Sequence, residues 1–258
     1  MKKIISFLLV AILLVGTSIT VLAHEQNTIE YNGRIFNKSE LTLETIEWLE
    51  WYNCLPEESR LMISHEPAEL RDNATYYTMI ETDEAQQGAE SIIMPASVGL
   101  LPTSGYEPVY NPDYWNAKEN IKRANCYAYA MDVICTTEMK LQPGELSGQM
   151  YTSLTESAIF TAVQNDGPYL GNGRTISRAE RDDTPGTNQY KVALVIAPNL
   201  DYHWYIQNSD GYWSHKRGTT EATNVDASGY YITDPQTCDR NYGGLNYSTF
   251  CGYYLITK

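Results

Sequence analysis

The spacing of apolar residues changes along the chain from a helical period to a strand period. Between Ser39 and Pro56, apolar residues recur every three or four positions, which predicts a helix with one apolar face, capped by Ser39. A second helix is predicted to begin near Pro56, because Glu57 and Glu58 in its first turn suit the helix dipole. The two helices predict a helical hairpin within residues 24–80, an accessory unit or a pro-segment.

Residues 81–112 show no apolar period, and Gly and Pro recur through them, which predicts a linker or an extended strap. Helical patterns then cover residues 114–134 and 154–164. Strand patterns follow at residues 190–197, 202–207, 212–216, 230–233 and 252–257. Helices followed by antiparallel strands predict an α+β domain over residues 113–258, with its N-terminal helices packed on a small antiparallel sheet.

The first 23 residues have the pattern of an export signal. Lys2 and Lys3 precede an apolar run over residues 4–15, and Val21-Leu22-Ala23 offers small residues where a signal peptidase cleaves. We therefore expect residues 1–23 to be a signal peptide and the protein to be secreted, with no membrane association after cleavage. At least one cysteine of the five must then be free or bonded to another molecule, and a bond between Cys238 and Cys251 is left open.

Charge excludes one class of partner. The formal net charge of the chain is -14, and removal of Lys2 and Lys3 makes it -16. Phosphate contacts need clustered Lys and Arg, so the sequence argues against a nucleic-acid partner. The sequence has no phosphate-binding or dinucleotide-binding glycine motif, and we expect no cofactor.

Cys126, His203 and His215 are the candidate catalytic residues. Asn125 is a natural helix cap, so Cys126 begins a helix, where the pKa of a thiol is lowered. A histidine on a facing strand would lower the pKa further and act as general base and acid. A third polar group would hold that imidazole in the required tautomer. We therefore expect His203 to face Cys126.

The two histidines lie on a predicted β-hairpin whose register decides whether they meet. If Asn208 pairs with Gly211, then His203 lies opposite Lys216 and the two imidazoles point to opposite faces. A shift of one residue makes His203 and His215 direct partners on one face, with Cβ atoms about 5 Å apart. We expect His215 rather than Asp226 or Asp234 to contact His203.

The run from His203 to His215, HWYIQNSDGYWSH, resembles the paired-histidine hairpin of the NlpC-type cell-wall peptidases, in the papain-like cysteine peptidase superfamily. The resemblance covers the C-terminal half and implies Cys126 as nucleophile, His203 as base and His215 as orienting residue. It also implies that Tyr114 and Asn125 lie near the oxyanion or substrate. The family has Asp-Cys-Ser-Gly around its nucleophile, whereas this chain has Asn-Cys-Tyr-Ala.

The function implied is that of a secreted cysteine hydrolase that cleaves peptide or amide bonds through a Cys-His-His triad, with cell-wall peptides as one substrate class. Two alternatives remain open. One is a non-catalytic secreted papain-like module for binding or adhesion. The other is a zinc site formed by Cys126, His203, His215 and an acidic residue, although no closely spaced ligand pair supports it.

Overall fold

A computed structural model of the chain describes residues 27–71, 79–82 and 99–258. The predicted signal peptide, residues 1–23, and residues 83–98 of the predicted linker lie outside these ranges. The described chain has an α+β architecture built on a six-stranded antiparallel sheet, with few helices. None of the helices within these residues is long and apolar enough to cross a membrane.

The helices and strands are as follows in chain order. The strands are β1 Thr28–Tyr31, β2 Arg34–Asn37, β3 Met79–Glu81, β4 Val133–Cys135, β5 Thr175–Ala179, β6 Gln189–Ala197, β7 Asp201–Gln207, β8 Trp213–Lys216, β9 Ala222–Thr223 and β10 Thr249–Thr257. The α-helices are α1 Leu43–Cys54, α2 Glu57–Met62, α3 Pro112–Trp115, α4 Cys126–Ala130 and α5 Glu156–Asp166. The main sheet has the order β5-β10-β6-β7-β8-β9, while β1 pairs with β2 and β3 with β4.

The main sheet is covered on both faces. Strand β7 is buried along its whole length, because successive side chains enter two different hydrophobic cores. Tyr202, Trp204 and Ile206 pack with α4, and we call this side the front face. Tyr205 lies in the second core, which also contains residues of α1, on the opposite side that we call the back face.

The predicted helical pair near the N-terminus is present as α1 and α2. Helix α1 begins at Leu43 and is capped by Thr42, whose side chain accepts a hydrogen bond from the Thr45 amide, so the predicted cap at Ser39 is wrong. Strands β1 and β2 precede it as a hairpin that the helical interpretation did not include. Its turn contains Asn32 and Gly33, both with positive φ, which is the sequence signal of such a hairpin.

Residues 28–70 pack directly on the sheet. Trp48, Leu49 and Tyr52 of α1 share the back-face core with Ala193 and Val195 of β6. The indole N–H of Trp48 donates a hydrogen bond to the carbonyl of Leu200, 2.8 Å away, in the β6–β7 turn. The sheet would expose this apolar face to water if these residues were absent.

The helical pattern predicted over residues 114–134 is confirmed only in part. The chain forms the short helices α3 and α4, and then Val133 and Ile134 enter β4. Asp132 has a left-handed φ of 54°, which stops helix propagation, and the β-branched residues that follow favour a strand. Cys135, expected in a helix, is therefore buried in β4.

The later elements follow the sequence pattern more closely. The predicted helix at 154–164 appears as α5, and the strand patterns at 190–197, 202–207, 212–216 and 252–257 correspond to β6, β7, β8 and β10. Residues 230–233 form only isolated bridges, from Tyr231 to Val225 and from Ile232 to Trp213.

Candidate functional site

The local setting of Cys126 is as expected. Cys126 is the first residue of α4, and the Asn125 side chain caps the helix by accepting a hydrogen bond from the Ala128 amide. The Asn125 amide group also donates to the carbonyl of Leu141, 2.8 Å away. Both the oxygen and the nitrogen of the Asn125 side-chain amide thus form hydrogen bonds that stabilise the fold.

The Cys126 thiol lies against the backbone of β7. Its sulfur is 3.8 Å from the carbonyl oxygen of Tyr202, and the residue is fully buried. Burial raises the pKa of the thiol well above its usual range, and the nearby Asp201 carboxylate raises it further. Hydrogen bonds from Ser64 and the Trp204 amide and the charge of Lys216 offset this pKa rise only in part.

His203 does not face Cys126, and this expectation is wrong. Cys126 packs in the front-face core with Tyr202 and Trp204. The His203 ring projects from the back face, where its centroid lies 5.0 Å from that of Tyr205 and 5.2 Å from that of Tyr247. The thiol and the imidazole therefore belong to different cores, and none of the described hydrogen bonds or ring contacts joins them.

Lys216 lies on the Cys126 side of the sheet, close enough to the thiol for their charges to interact. Its Nζ donates hydrogen bonds to the carbonyls of Ile121 and Ala124, at 2.5 and 2.6 Å. Burial lowers the pKa of Lys216 to about 7, while the proximity of Cys126 acts to raise it. Lys216 therefore helps to bind the segment before α4 to the sheet, a role the sequence analysis did not assign to it.

His203 and His215 are in contact, as expected. His203 Nε2 and His215 Nδ1 are 2.8 Å apart, and both residues are fully buried. The register differs from both alternatives considered above, since Tyr205 rather than His203 is the direct partner of His215. The histidines are diagonal neighbours on the back face, which still brings the rings together.

The hydrogen bonds assign the tautomer of each ring. His215 Nε2 is 3.0 Å from the carbonyl oxygen of Val225, so it carries the proton and donates. His215 Nδ1 must then accept from the Nε2 proton of His203. His203 Nδ1 is left as a buried lone pair with no partner within the described residues. Burial and the neighbouring His215 lower the pKa of His203 well below its usual value, and burial lowers that of His215 to about 3.

The other candidate residues have structural contacts. Tyr114 lies in α3, and its ring packs edge-on against Trp115 with centroids 5.5 Å apart. The Asp226 carboxylate accepts from the amides of its own loop, including that of Ser228. The Asp234 carboxylate binds Arg181 and the hydroxyl of Tyr253.

The proposed zinc ligands are divided between the two faces of β7. Within the described ranges, no group of three or more His, Cys, Asp or Glu side chains is arranged to hold a metal ion. The five cysteines are all unbonded, including Cys238 and Cys251. Cys54 is exposed at the end of α1.

His65 has a structural setting that its sequence context did not indicate. Its amide donates to the buried Asp201 carboxylate, which also accepts from the Ser64 amide and the Tyr247 hydroxyl. Its ring packs edge-on against Trp48, with centroids 5.5 Å apart. These contacts place the imidazole on the wall of a surface cleft between α1 and the segment before α5.

The chain is similar in sequence to a shell matrix protein. It is 38% identical over 144 residues to the insoluble matrix shell protein 1 of Ruditapes philippinarum, a match that covers 56% of this chain and 86% of that protein. No protein-family model matches the chain, and no solved structure matches it significantly. Because the similarity extends over most of the relative, this chain belongs to the same family as the insoluble matrix shell protein 1.

Proposed function

We propose that this protein is a secreted, non-catalytic module of an extracellular matrix, and that it acts by binding rather than by hydrolysis. The observation that carries the proposal is the position of Cys126. Its thiol is buried against the β7 backbone, and the imidazole expected to activate it lies on the opposite face of that strand. A thiol with a strongly raised pKa is a poor nucleophile at neutral pH.

Two further observations support an extracellular structural role. The relative is named as a protein of an insoluble shell matrix, and this chain spans 86% of its length. Residues 1–23 have the pattern of a secretion signal.

The fold assignment within the α+β class is part of the same proposal. Helix α4 carries Cys126 at its start and packs on β7 and β8 of an antiparallel sheet. This is the arrangement that the resemblance to papain-like peptidases implies. We infer a papain-like module in which the thiol and the histidine pair serve as parts of two separate cores.

Thiol labelling tests the proposal directly. The folded protein is treated with iodoacetamide at neutral pH, and the modified cysteines are identified by mass spectrometry. We expect rapid modification of the exposed Cys54 and no modification of Cys126 until the protein is unfolded. Cys54 is the internal control, because it reports that the reagent is active under native conditions.

Activity assays complete the test. Wild-type protein and Cys126→Ala are incubated with peptidoglycan fragments and with general peptide substrates, and neither should release product. If Cys126 is modified rapidly in the folded state, and if Cys126→Ala abolishes a hydrolysis that the wild type performs, the protein is a cysteine hydrolase and the proposal is wrong.

A further inference from the structure

The cleft next to His65 is a preformed cavity of about 290 Å³. Its apolar walls include Trp48, Tyr151 and Leu154. The Trp48 indole N–H is already bonded to the Leu200 carbonyl, and its ring stacks on Tyr52 with centroids 4.9 Å apart. The walls are therefore held by interactions with the core, so the cavity does not depend on a ligand for its shape.

Hydrogen bonds around His65 assign the free atom of its ring. The Gln142 amide group donates to the carbonyl of Ser64, so Gln142 presents its oxygen to the Tyr151 hydroxyl, 3.0 Å away. The Tyr151 hydroxyl donates its proton to that oxygen and must accept from His65 Nδ1, at 2.5 Å. The proton of the neutral ring thus sits on Nδ1, and Nε2 carries a lone pair that accepts no hydrogen bond from the described residues.

The remaining polar groups of the cleft are mostly uncharged. Thr152, Ser153 and Asn199 contribute two hydroxyls and an amide to its lining. The lining includes no Lys or Arg among the described residues, which disfavours an anionic ligand. It does include two carboxylates, Glu44 and Glu69. Glu44 is exposed to solvent in the first turn of α1, where the helix dipole stabilises a negative charge. The Glu69 carboxylate already accepts hydrogen bonds from the backbone amide and the hydroxyl of Thr42. Glu69 therefore does not require a ligand cation.

We propose that this cleft binds a neutral, hydroxyl-rich ligand, namely a saccharide unit of a matrix polysaccharide. Sugars combine apolar C–H faces, which suit the Trp48 and Leu154 walls, with hydroxyls that donate to an unprotonated nitrogen and to carboxylates. His65 Nε2 accepts a sugar hydroxyl, while Asn199 and Ser153 hydrogen-bond to others. The inference rests on the binding role proposed above and names the ligand class for it.

Isothermal titration calorimetry of the secreted full chain with trisaccharides of glucose and of N-acetylglucosamine tests the inference. Two substitutions of His65 test the role of Nε2 separately from that of Nδ1, which is hydrogen-bonded to Tyr151. In His65→Asn the amide reaches Tyr151 but leaves no acceptor at the Nε2 position, whereas in His65→Gln the side-chain oxygen reaches that position. We expect His65→Asn to weaken binding about tenfold, as the loss of one hydrogen bond predicts. His65→Gln should bind within about twofold of the wild type.

A second matched pair controls for folding. Asn199 and Asn188 both have left-handed φ angles, 62° and 57°, so glycine is accommodated at either position. Asn199 lines the cleft, whereas Asn188 lines a different pocket. Asn199→Gly should weaken saccharide binding several-fold, while Asn188→Gly should leave it unchanged.

The outcomes are distinct. Three results would each refute the proposal that the cleft binds a saccharide. The first is that neither saccharide binds, and the second is that His65→Asn binds as tightly as the wild type. The third is that a lysine-rich peptide binds in place of both saccharides. Those results would leave the non-catalytic role intact if Cys126 stays unlabelled in the folded state. Rapid labelling of Cys126 would refute that role without deciding what the cleft binds, which the calorimetry measures separately.

Discussion

At the scale of single residues, burial determines what each titratable side chain does. His203 and His215 are in contact and fully buried, and burial lowers the pKa of both. The positive charge of Arg217 lowers both pKa values further, and the Asp226 carboxylate opposes this only in part at His215. Asp201 is equally buried, and burial raises its pKa to about 6 despite hydrogen bonds from Ser64, His65 and Tyr247. These groups serve the fold in their uncharged or hydrogen-bonded states.

The lowered pKa of His203 predicts a loss of stability in acid. The ring is neutral in the folded protein and protonated in the unfolded chain below a pKa of about 6.5, so the unfolded state binds more protons and stability falls as pH falls. His203→Gln retains a donor to His215 Nδ1 and removes the titration. We expect the free energy of unfolding of the wild type to drop by about 2 kcal/mol more than that of His203→Gln between pH 7 and pH 5.

Urea denaturation at several pH values measures this difference. Asp201 acts in the opposite direction, because its raised pKa makes the folded state bind protons more readily as pH falls. That contribution is common to both proteins and cancels in the comparison. Parallel stability curves for the two proteins would show that His203 is protonated in the folded state.

At the scale of elements, one close backbone contact joins the turn after β8 to the segment after α2. The turn after β8 contains Gly218, whose amide donates to the Ser64 hydroxyl. Its φ is 45°, and a Cβ at this position would overlap the backbone carbonyls of Leu61 and Ile63. Glycine is required there both for the backbone conformation and for the contact between this turn and the segment after α2.

Two glycine substitutions separate these requirements. Gly218→Ala should destabilise the protein by about 3 kcal/mol, because it adds a steric overlap to the cost of a left-handed alanine. Gly229→Ala is the control, since Gly229 has a φ of 83° but a Cβ added there would meet no described atom within 4 Å. It should cost only about 1 kcal/mol. Equal midpoints of urea denaturation for the two variants would contradict the steric argument.

Comparison at this scale shows which elements could be predicted from the sequence. Helix α5 and strands β6, β7 and β8 have regular apolar patterns, and their predicted limits lie close to the observed ones. The helical pattern expected over residues 114–134 does not extend to Ile134, because Asp132 adopts a left-handed conformation and Val133 then pairs in β4 with β3, a partner distant in sequence. Pattern analysis detects local preference, not pairing with a remote strand.

At the scale of the whole molecule, the N-terminal elements and the sheet form one back-face core. Leu49 in α1 is completely buried in that core, while Leu43 on the same helix is 71% exposed. The predicted accessory unit is therefore expected to unfold together with the sheet rather than before it.

Alanine substitutions of these two leucines test the coupling. Leu49→Ala should lower the free energy of unfolding by about 2–5 kcal/mol, and the loss should appear in a single transition that far-UV circular dichroism and tryptophan fluorescence report identically. Leu43→Ala should change the stability by less than about 0.5 kcal/mol. Two separate transitions in Leu49→Ala would indicate that residues 28–70 fold as an independent domain.

The sequence by itself determined the cap at Asn125, the start of a helix at Cys126, and the strands that carry His203 and His215. It also indicated that Tyr202 and His203 point to opposite faces of one strand, because strand geometry is local. Only the tertiary structure decided which face α4 covers, since that depends on packing between segments far apart in the chain. Helix α4 lies on the Tyr202 face, so the thiol and the imidazole are separated, and a combination of residues typical of a cysteine hydrolase forms parts of two different cores.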